Sequence, residues 1–279
     1  MGLGTLEATP AQETKAAPSV WDALDLGGFY ELRYGHRLSG VGSYKDTTLG
    51  EARFQIEAAW SSDWATFNLT TDLVADQVLE DGAVDLENGE GWIDLREASV
   101  LLRPLDTLDL KIGRQVLTWG TGDLVFINDL FPKDWNAFFV GRDDEYLKAP
   151  SDAIKASVYV GGITLDGVLT PRFDSDRFID GRRLTFFDPL AGGIKTQAAA
   201  LSVDARDQYG DDWEGAFRAS GQVKSFEWAG YLYRGYWKSP TGFDPLSGQN
   251  TFPELNVYGA SRRGQIGRAS GGERGESGG

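Results

Sequence analysis

The sequence has no cysteine and one histidine, His36, in 279 residues. Without cysteine there are no disulfide bonds, thiolate zinc sites, iron–sulfur clusters or cysteine nucleophiles. A single histidine is too few for most histidine metal sites, and nothing near it suggests a catalytic triad. The acidic stretch from Asp76 to Asp94 lacks the ligand order of an EF-hand. We therefore predict no catalytic residues, no metal site and no cofactor.

Basic residues are also few, with 27 against 42 acidic residues and a net charge of −15. Binding to nucleic acid depends on clustered positive charge facing phosphate, so no nucleic-acid partner is expected. No apolar run approaches the ~18 residues of a membrane-spanning helix. Residues 1–20 lack the charged start and apolar centre of a secretory signal. We interpret residues 1–26 as a periplasmic segment or a leader remnant.

Glycine and aromatic residues, in contrast, are abundant, with 36 Gly, 9 Trp, 10 Tyr and 15 Phe. From Gly28 onward, apolar and polar residues alternate with period two, which predicts β-strands. In the second segment, for example, Phe54 lies on the apolar face and Arg53 on the polar face. The predicted strands are 29–37, 51–60, 64–73, 93–103, 107–115, 153–160, 163–170, 213–223, 226–237 and 254–261.

The phase of one predicted strand is ambiguous. In the segment 93–103, Ala98 and Val100 suit an apolar face, but Asp94 and Arg96 would then share it.

The connections between these segments alternate between tight turns and long loops. The turns are 61–63, 104–106, 161–162 and 224–225, and the long segments are 38–48, 74–91, 116–152, 171–212 and 238–253. Loops of this length are uncommon in compact soluble domains. Short turns at one rim and long loops at the other are typical of antiparallel transmembrane barrels.

Aromatic residues at strand ends point the same way. Trp60 and Trp64 flank one tight turn, and amphipathic rings favour the boundary between membrane and water. The alternative is that these rings cap a soluble β-core. We predict an all-β fold, an antiparallel transmembrane β-barrel with about ten visible strands in residues 27–261, in the cell outer membrane.

Charged residues of both signs occupy the polar faces of neighbouring strands. In a water-filled barrel such residues would line a hydrated path and set solute preference. The candidate pore-lining residues are Glu31, Arg33, Arg37, Glu51, Arg53, Gln55, Glu57 and Lys111. The alternative is the solvated outer face of a β-sandwich.

The segment 116–150 is rich in large aromatic residues, each of which favours burial by about 1.5–3 kcal/mol. We expect it to fold back onto the barrel, with a short helix within 132–139 and Pro132 near its first turn. The hypothesis is that it enters the barrel mouth and narrows the pore. The candidate constriction residues are Trp135, Phe138, Arg142, Asp143 and Asp144. A structural lid packed on the rim is an equal alternative.

The end of the chain differs from the rest. Residues 262–279 contain many glycines and almost no apolar residue, so they cannot build a core or span a bilayer. We predict a disordered tail.

Three motifs resemble those of a known family. They are Asp94-Leu95-Arg96-Glu97-Ala98, then Ile112-Gly113-Arg114-Gln115 ahead of Trp119-Gly120, and Tyr233-Arg234-Gly235-Tyr236-Trp237-Lys238-Ser239-Pro240. They resemble uncharacterised porin-like outer-membrane proteins of Gram-negative bacteria, similar to the alginate-export type. Members of that family usually have more strands and end in a strand with a terminal aromatic residue, so we expect this chain to be a truncated member.

The resemblance implies a channel that passes small hydrophilic solutes by passive diffusion, with outer-membrane lipid as its other partner. The sequence leaves a homo-oligomer open. The alternative function is a soluble or surface-exposed β-sandwich that binds carbohydrate, because exposed Trp and Tyr side chains also stack on sugars.

Overall fold

The computed structural model describes residues 23–38, 46–79, 83–119, 128–189, 192–206 and 208–264. The strands in this part of the chain are β1 (Leu24–His36), β2 (Thr47–Ser61), β3 (Ala65–Asp76), β4 (Ile93–Leu105), β5 (Leu108–Val116), β6 (Pro150–Val160), β7 (Ile163–Thr170), β8 (Phe186–Asp188), β9 (Gly193–Lys195), β10 (Glu214–Val223), β11 (Phe226–Tyr236), β12 (Gly242–Asp244), β13 (Gln249–Thr251) and β14 (Glu254–Gly264). A helix, α1 (Trp135–Val140), and a 3-10 helix (Asp144–Leu147) lie between β5 and β6. Within the described ranges, no helix has the length and apolarity needed to cross a membrane.

Ten of these strands form one antiparallel sheet in the order β1-β2-β3-β4-β5-β6-β7-β10-β11-β14. The pairs β8–β9 and β12–β13 are separate two-stranded ribbons within the long loops. The prediction of an antiparallel all-β fold is confirmed. In the described residues the sheet is not closed, because β1 and β14 are its two edges.

Each strand of the sheet separates apolar from polar side chains, as expected for period-two alternation. In β2, Phe54 is 48% exposed while Arg53 is 2% exposed. We call the side that carries Phe54 the apolar face and the side that carries Arg53 the polar face. The apolar face is the exposed one, which is the reverse of the arrangement in an ordinary soluble sheet.

One row of directly paired residues can be followed across the sheet. From β1 to β11 the paired residue lies progressively further from the first residue of its strand. The row passes through the first residue of β1 (Leu24), the third of β3 (Phe67), the fifth of β5 (Ile112), the seventh of β7 (Leu169) and the ninth of β11 (Arg234). The stagger is therefore one residue per strand. With ~3.3 Å per residue and ~4.8 Å between strands, it corresponds to a strand tilt of roughly 35°.

A β-bulge in β4 explains the ambiguous phase of this strand. Thr70 pairs with Glu97 but Thr71 pairs with Leu95, so Arg96 is the extra residue. A bulge of this kind shifts the alternation by one position. Asp94 and Arg96, both buried, thus lie on the polar face. Beyond the bulge the alternation is shifted by one residue, so Ala98 and Val100 lie on the apolar face.

The long loops fold back over the polar face. Trp119 and Phe131, which follow β5, pack with ring centroids 5.0 Å apart, and Trp119 also contacts Tyr231 of β11 at 6.2 Å. This contact reaches from the middle of the sheet toward its β14 edge, and the same segment reaches β1 and β2 in the other direction. The loop layer therefore covers the polar face across the sheet from β1 to β11.

The boundaries of the predicted regions can be compared only in part. β14 continues through Gly264, three residues beyond the predicted limit at 261. Most of the predicted N-terminal segment (1–22) and most of the predicted tail (265–279) lie outside the described residues.

Candidate functional site

A buried network of charged side chains covers the polar face of β2, β3 and β4. Arg53 is its centre: its Nε donates to Glu51 at 3.0 Å, and it also pairs with Asp72 and, at 3.7 Å, with Asp94. All four residues are at most 4% exposed. Buried charges are tolerated only when they are paired and hydrogen-bonded. The cross-strand register supplies this pairing, because neighbouring strands place opposite charges side by side.

Tyr146, in the 3-10 helix, attaches the loop layer to this network. Its hydroxyl donates to Asp72 at 2.8 Å and accepts from Gln55 at 2.8 Å. Its ring lies between the guanidinium groups of Arg53 and Arg96, at 4.8 and 4.4 Å from its centroid. Burial and the neighbouring Asp72 carboxylate raise the pKa of Tyr146. The phenol therefore stays neutral and remains a donor.

A second long loop, between β7 and β10, reaches the same network through Arg177. This side chain donates to Asp94 at 2.8 and 3.1 Å and to Asp134 at 3.4 Å. Burial disfavours its charged form, but the two carboxylates outweigh that effect and raise the pKa of Arg177. Asp94 thus accepts charge-assisted hydrogen bonds from the loop and also forms an ion pair with Arg53 of β2, so it ties the two together.

Local sequence explains the position of α1. The Asp134 side chain accepts from the Ala137 backbone N–H at 2.7 Å as the N-cap, and Gly141 adopts a left-handed conformation (φ 72°) at the C-cap. These are the residue types that helix ends favour. Because the helix stops at Gly141, Arg142 turns toward the sheet and bonds Glu51.

The structure brings the predicted constriction residues onto the polar face, but in different environments. Arg142 is held by Glu51, and the Trp135 Nε1 donates to Asp176 at 2.9 Å. Phe138 is 45% exposed, and Asp143 and Asp144 are exposed as well. Arg33 of β1 bonds Asp143 at 3.1 Å and also the Gly141 carbonyl. The loop thus presents Phe138 and two carboxylates to water from a fixed base.

The predicted pore-lining residues divide into two groups. Glu51, Arg53 and Gln55 are at most 4% exposed because the loop covers them, so they hold the loop and have no contact with water. This corrects their predicted position on a hydrated path. Sequence alternation predicted their face correctly but could not show that a distant loop lies on it.

The remaining predicted residues keep contact with solvent. Glu57 is exposed, and Glu31 pairs with Arg33 at 2.6 Å with both side chains partly exposed. Lys111 pairs with Glu97 at 2.7 Å and is also partly exposed. Arg37 follows β1 directly, and its backbone N–H donates to the Asp46 carbonyl at 2.8 Å.

Several central residues had no assignment from the sequence. They are Asp72, Asp94, Arg96, Tyr146 and Arg177. The apparent phase conflict at Asp94 and Arg96 was the available signal, since charged residues at apolar positions of a strand indicate an unrecognised bulge.

A cavity of about 320 Å³ lies among the long loops. Its lining includes Phe178 and Phe252 as well as the charged side chains of Arg172 and Glu87. Next to it, burial and the neighbouring Glu87 carboxyl raise the pKa of Asp174 to about 8. Asp174 therefore keeps its proton near neutral pH.

Among the described residues, no group of three or more His, Asp or Glu side chains is placed to hold a metal ion. Comparison with known protein families found no match to this sequence. A comparison with curated proteins found no significant match either.

Proposed function

We propose that the chain is a porin-like outer-membrane channel that passes small hydrophilic solutes by passive diffusion. In this proposal the ten-stranded sheet is part of a transmembrane β-barrel. The apolar face contacts lipid, and the polar face with its loop layer forms the lumen. No catalytic step or cofactor is involved.

One observation carries the proposal: the apolar face is exposed while most of the charged face is covered. Exposed apolar residues occur along most strands of the sheet, including Leu26, Tyr30, Leu32, Phe54, Phe67, Leu69, Ile154, Leu169, Phe217, Leu232 and Tyr258. Soluble monomers rarely expose continuous apolar patches of this extent, and larger ones mark membrane or protein contacts. The strand tilt of roughly 35° also lies within the range of transmembrane barrels.

The alternative of a carbohydrate-binding β-sandwich receives less support. A sandwich buries the apolar face of one sheet against a second sheet. In the described ranges the other sheets are the two ribbons β8–β9 and β12–β13, and large side chains of the apolar face such as Leu32 (66%) and Tyr258 (82%) remain exposed.

The position of the water path follows from the exposure of the polar face. At the β2–β4 side the loop covers this face, but toward β14 charged side chains remain open: Glu227 is 63% and Arg263 is 67% exposed. We expect solutes to pass along the polar side of β14 and the short-turn end of β11, beside the buried cluster that contains Trp119 and Tyr231. Asp143 and Asp144 on the loop would then favour cations.

The test is conductance in planar bilayers containing the purified full chain. The proposal predicts discrete steps with cation preference in a salt gradient. Replacing Asp143 and Asp144 with Lys should shift the reversal potential toward anions, while the same change at exposed Asp63 and Asp106, near the short turns, should shift it less.

Two outcomes would count against parts of this proposal. An absence of conductance steps from a folded, membrane-inserted chain would contradict the channel. Steps whose conductance and selectivity do not change on deletion of residues 134–144 would contradict only the constriction, leaving the loop as a structural lid.

A further inference from the structure

A groove of about 730 Å³ crosses the apolar face over β6, β7, β10, β11 and β14. It follows two neighbouring rows of cross-strand partners, so it runs across the strands. The registers show this directly: Gly167 pairs with Phe217, and Phe217 pairs with Leu232. Four strand spacings of ~4.8 Å give the groove a length of about 19 Å.

The groove exists because its floor lacks side chains. A Cβ atom added at Gly167 would meet no atom within 4 Å, and the backbone there has no left-handed conformation. Large apolar side chains stand beside it, with Leu169, Phe217 and Leu232 between 41% and 47% exposed. The β6–β7 end of the groove is therefore open and lined by apolar side chains.

The opposite end carries a positive charge. Arg234 lies there with its guanidinium 5.2 Å from the centre of the Trp213 ring. Gly215 leaves room for this ring, since a Cβ added there would lie 3.2 Å from it. Among the described residues Arg234 makes no ion pair or side-chain hydrogen bond. Asp211 and Glu254 lie at the same rim but do not pair with it.

An unpaired guanidinium on a lipid-facing surface is costly near the bilayer centre but tolerated near the interface. Arg234 is the ninth residue of β11 and lies close to the long loop that follows Tyr236. The stagger of the sheet thus brings the β11–β14 end of the groove to the interface. Its β6–β7 end stays among apolar side chains.

We propose that this groove binds one membrane lipid, with an acyl chain along Gly167 and the lipid phosphate at Arg234. The inference rests on the proposed membrane location of the sheet. Guanidinium pairs strongly with phosphate, and the Trp213 ring supports the cation from below. One hydrocarbon leaflet is ~15 Å thick. An acyl chain that lies obliquely in the leaflet needs a path longer than this thickness, and the groove length of about 19 Å provides it.

The test is native mass spectrometry of the full chain in detergent micelles titrated with phosphatidylglycerol. The wild type should retain one tightly bound lipid. Gly167→Leu places a large side chain on the floor, where the Cβ position itself is free of contacts, and should weaken this binding at least tenfold. Gly230→Leu is the matched control, because Gly230 also has open space within 4 Å but does not line the groove.

A second pair of variants tests the polar end. Arg234→Gln should weaken retention of phosphatidylglycerol about tenfold, whereas Arg234→Lys keeps the charge and should stay within threefold of the wild type. Correct folding of each variant is checked by the change of gel mobility on boiling, and Gly167→Val replaces Gly167→Leu if the larger side chain prevents folding.

Equal lipid retention in the wild type and Gly167→Leu would overturn the proposal. Displacement of the lipid by inorganic phosphate alone would also overturn it, because Arg234 would then recognise a free anion. Conductance of the same samples separates the two proposals. A conducting protein without a retained lipid contradicts only the groove, and a lipid-binding protein without conductance contradicts only the channel.

Discussion

Arg53 and Phe54 are neighbours in β2, yet they lie in opposite environments. The arginine is 2% exposed and surrounded by carboxylates and the Tyr146 ring, and the phenylalanine is 48% exposed. In a water-soluble sheet the assignment would be reversed, with phenylalanine inside. The two faces therefore differ in what holds them: charge pairing and the loop layer cover the polar face, whereas large side chains of the apolar face stay exposed.

Loss of Arg53 should have the largest effect on stability. Arg53→Met leaves Glu51 and Asp72 without their shared cation in a buried site, which should cost about 3–5 kcal/mol. The control is Arg103→Met, because Arg103 is 48% exposed and its contact with Asp109 is 3.8 Å; this change should cost under about 1 kcal/mol. Denaturant unfolding in micelles measures both. Similar losses would mean that the buried network has no special role.

A charged substitution on the apolar face should destabilise the protein somewhat less than the loss of Arg53. Phe54 lies in the middle of β2, so Phe54→Arg should destabilise the membrane-inserted form by about 2–4 kcal/mol. Phe54→Leu keeps an apolar side chain and should cost much less. Folding yield into lipid vesicles measures the difference. A Phe54→Arg protein that folds equally well, or that becomes soluble without detergent, would contradict a lipid contact.

Removing the hydrogen bonds between the loop and the sheet should have a smaller effect on stability. Tyr146→Phe removes the hydroxyl that donates to Asp72 and accepts from Gln55, at a cost of about 1–3 kcal/mol. The loop should also become more accessible to protease. Tyr258→Phe is the control, since Tyr258 is 82% exposed on the apolar face. Equal protease sensitivity of the two variants would show that Tyr146 does not fasten the loop.

The smallest expected effect depends on pH and is confined to the loops. Burial and the Glu87 carboxyl raise the pKa of Asp174 to about 8, against an unfolded value near 4. The unfolded chain releases this proton at about pH 4, whereas the folded loop keeps it up to about pH 8, so the stability of the loop falls as pH rises between these two values. Proteolysis of the loops should accelerate accordingly, and Asp174→Asn should reduce the dependence. A wild type whose proteolysis slows with rising pH would contradict this sign.

Most strands of the large sheet were predictable because they keep one alternation along their length, β4 with its bulge being an exception. The predicted segments 163–170 and 226–237, for example, agree with β7 and β11 to within one residue. The first strand starts earlier than predicted, at Leu24, because Gly27 and Gly28 obscure its pattern. The ribbons β8–β9 and β12–β13 are too short for any pattern to be recognisable.

Of the site, the sequence predicted only which face of the sheet carries it and which loop folds onto that face. Alternation placed Arg53 on the polar face, and the aromatic content of the loop predicted that it would fold back. The short helix in this loop was also expected, although it begins at Trp135, three residues after Pro132. The partners Tyr146 and Arg177 were not predictable, because their bonds to Asp72 and Asp94 join residues 74 and 83 positions apart.

Spin-label accessibility in liposomes tests the central claim most directly. The chain has no cysteine, so single cysteines at Phe54, Gln55 and Glu57 can be labelled without a background. We expect the label at Phe54 to collide with oxygen far more than with a water-soluble nickel reagent. The label at Glu57 should show the reverse, and that at Gln55 should be shielded from both by the loop. A label at Phe54 that is shielded from both, or that meets nickel as readily as at Glu57, would contradict a lipid-facing apolar face.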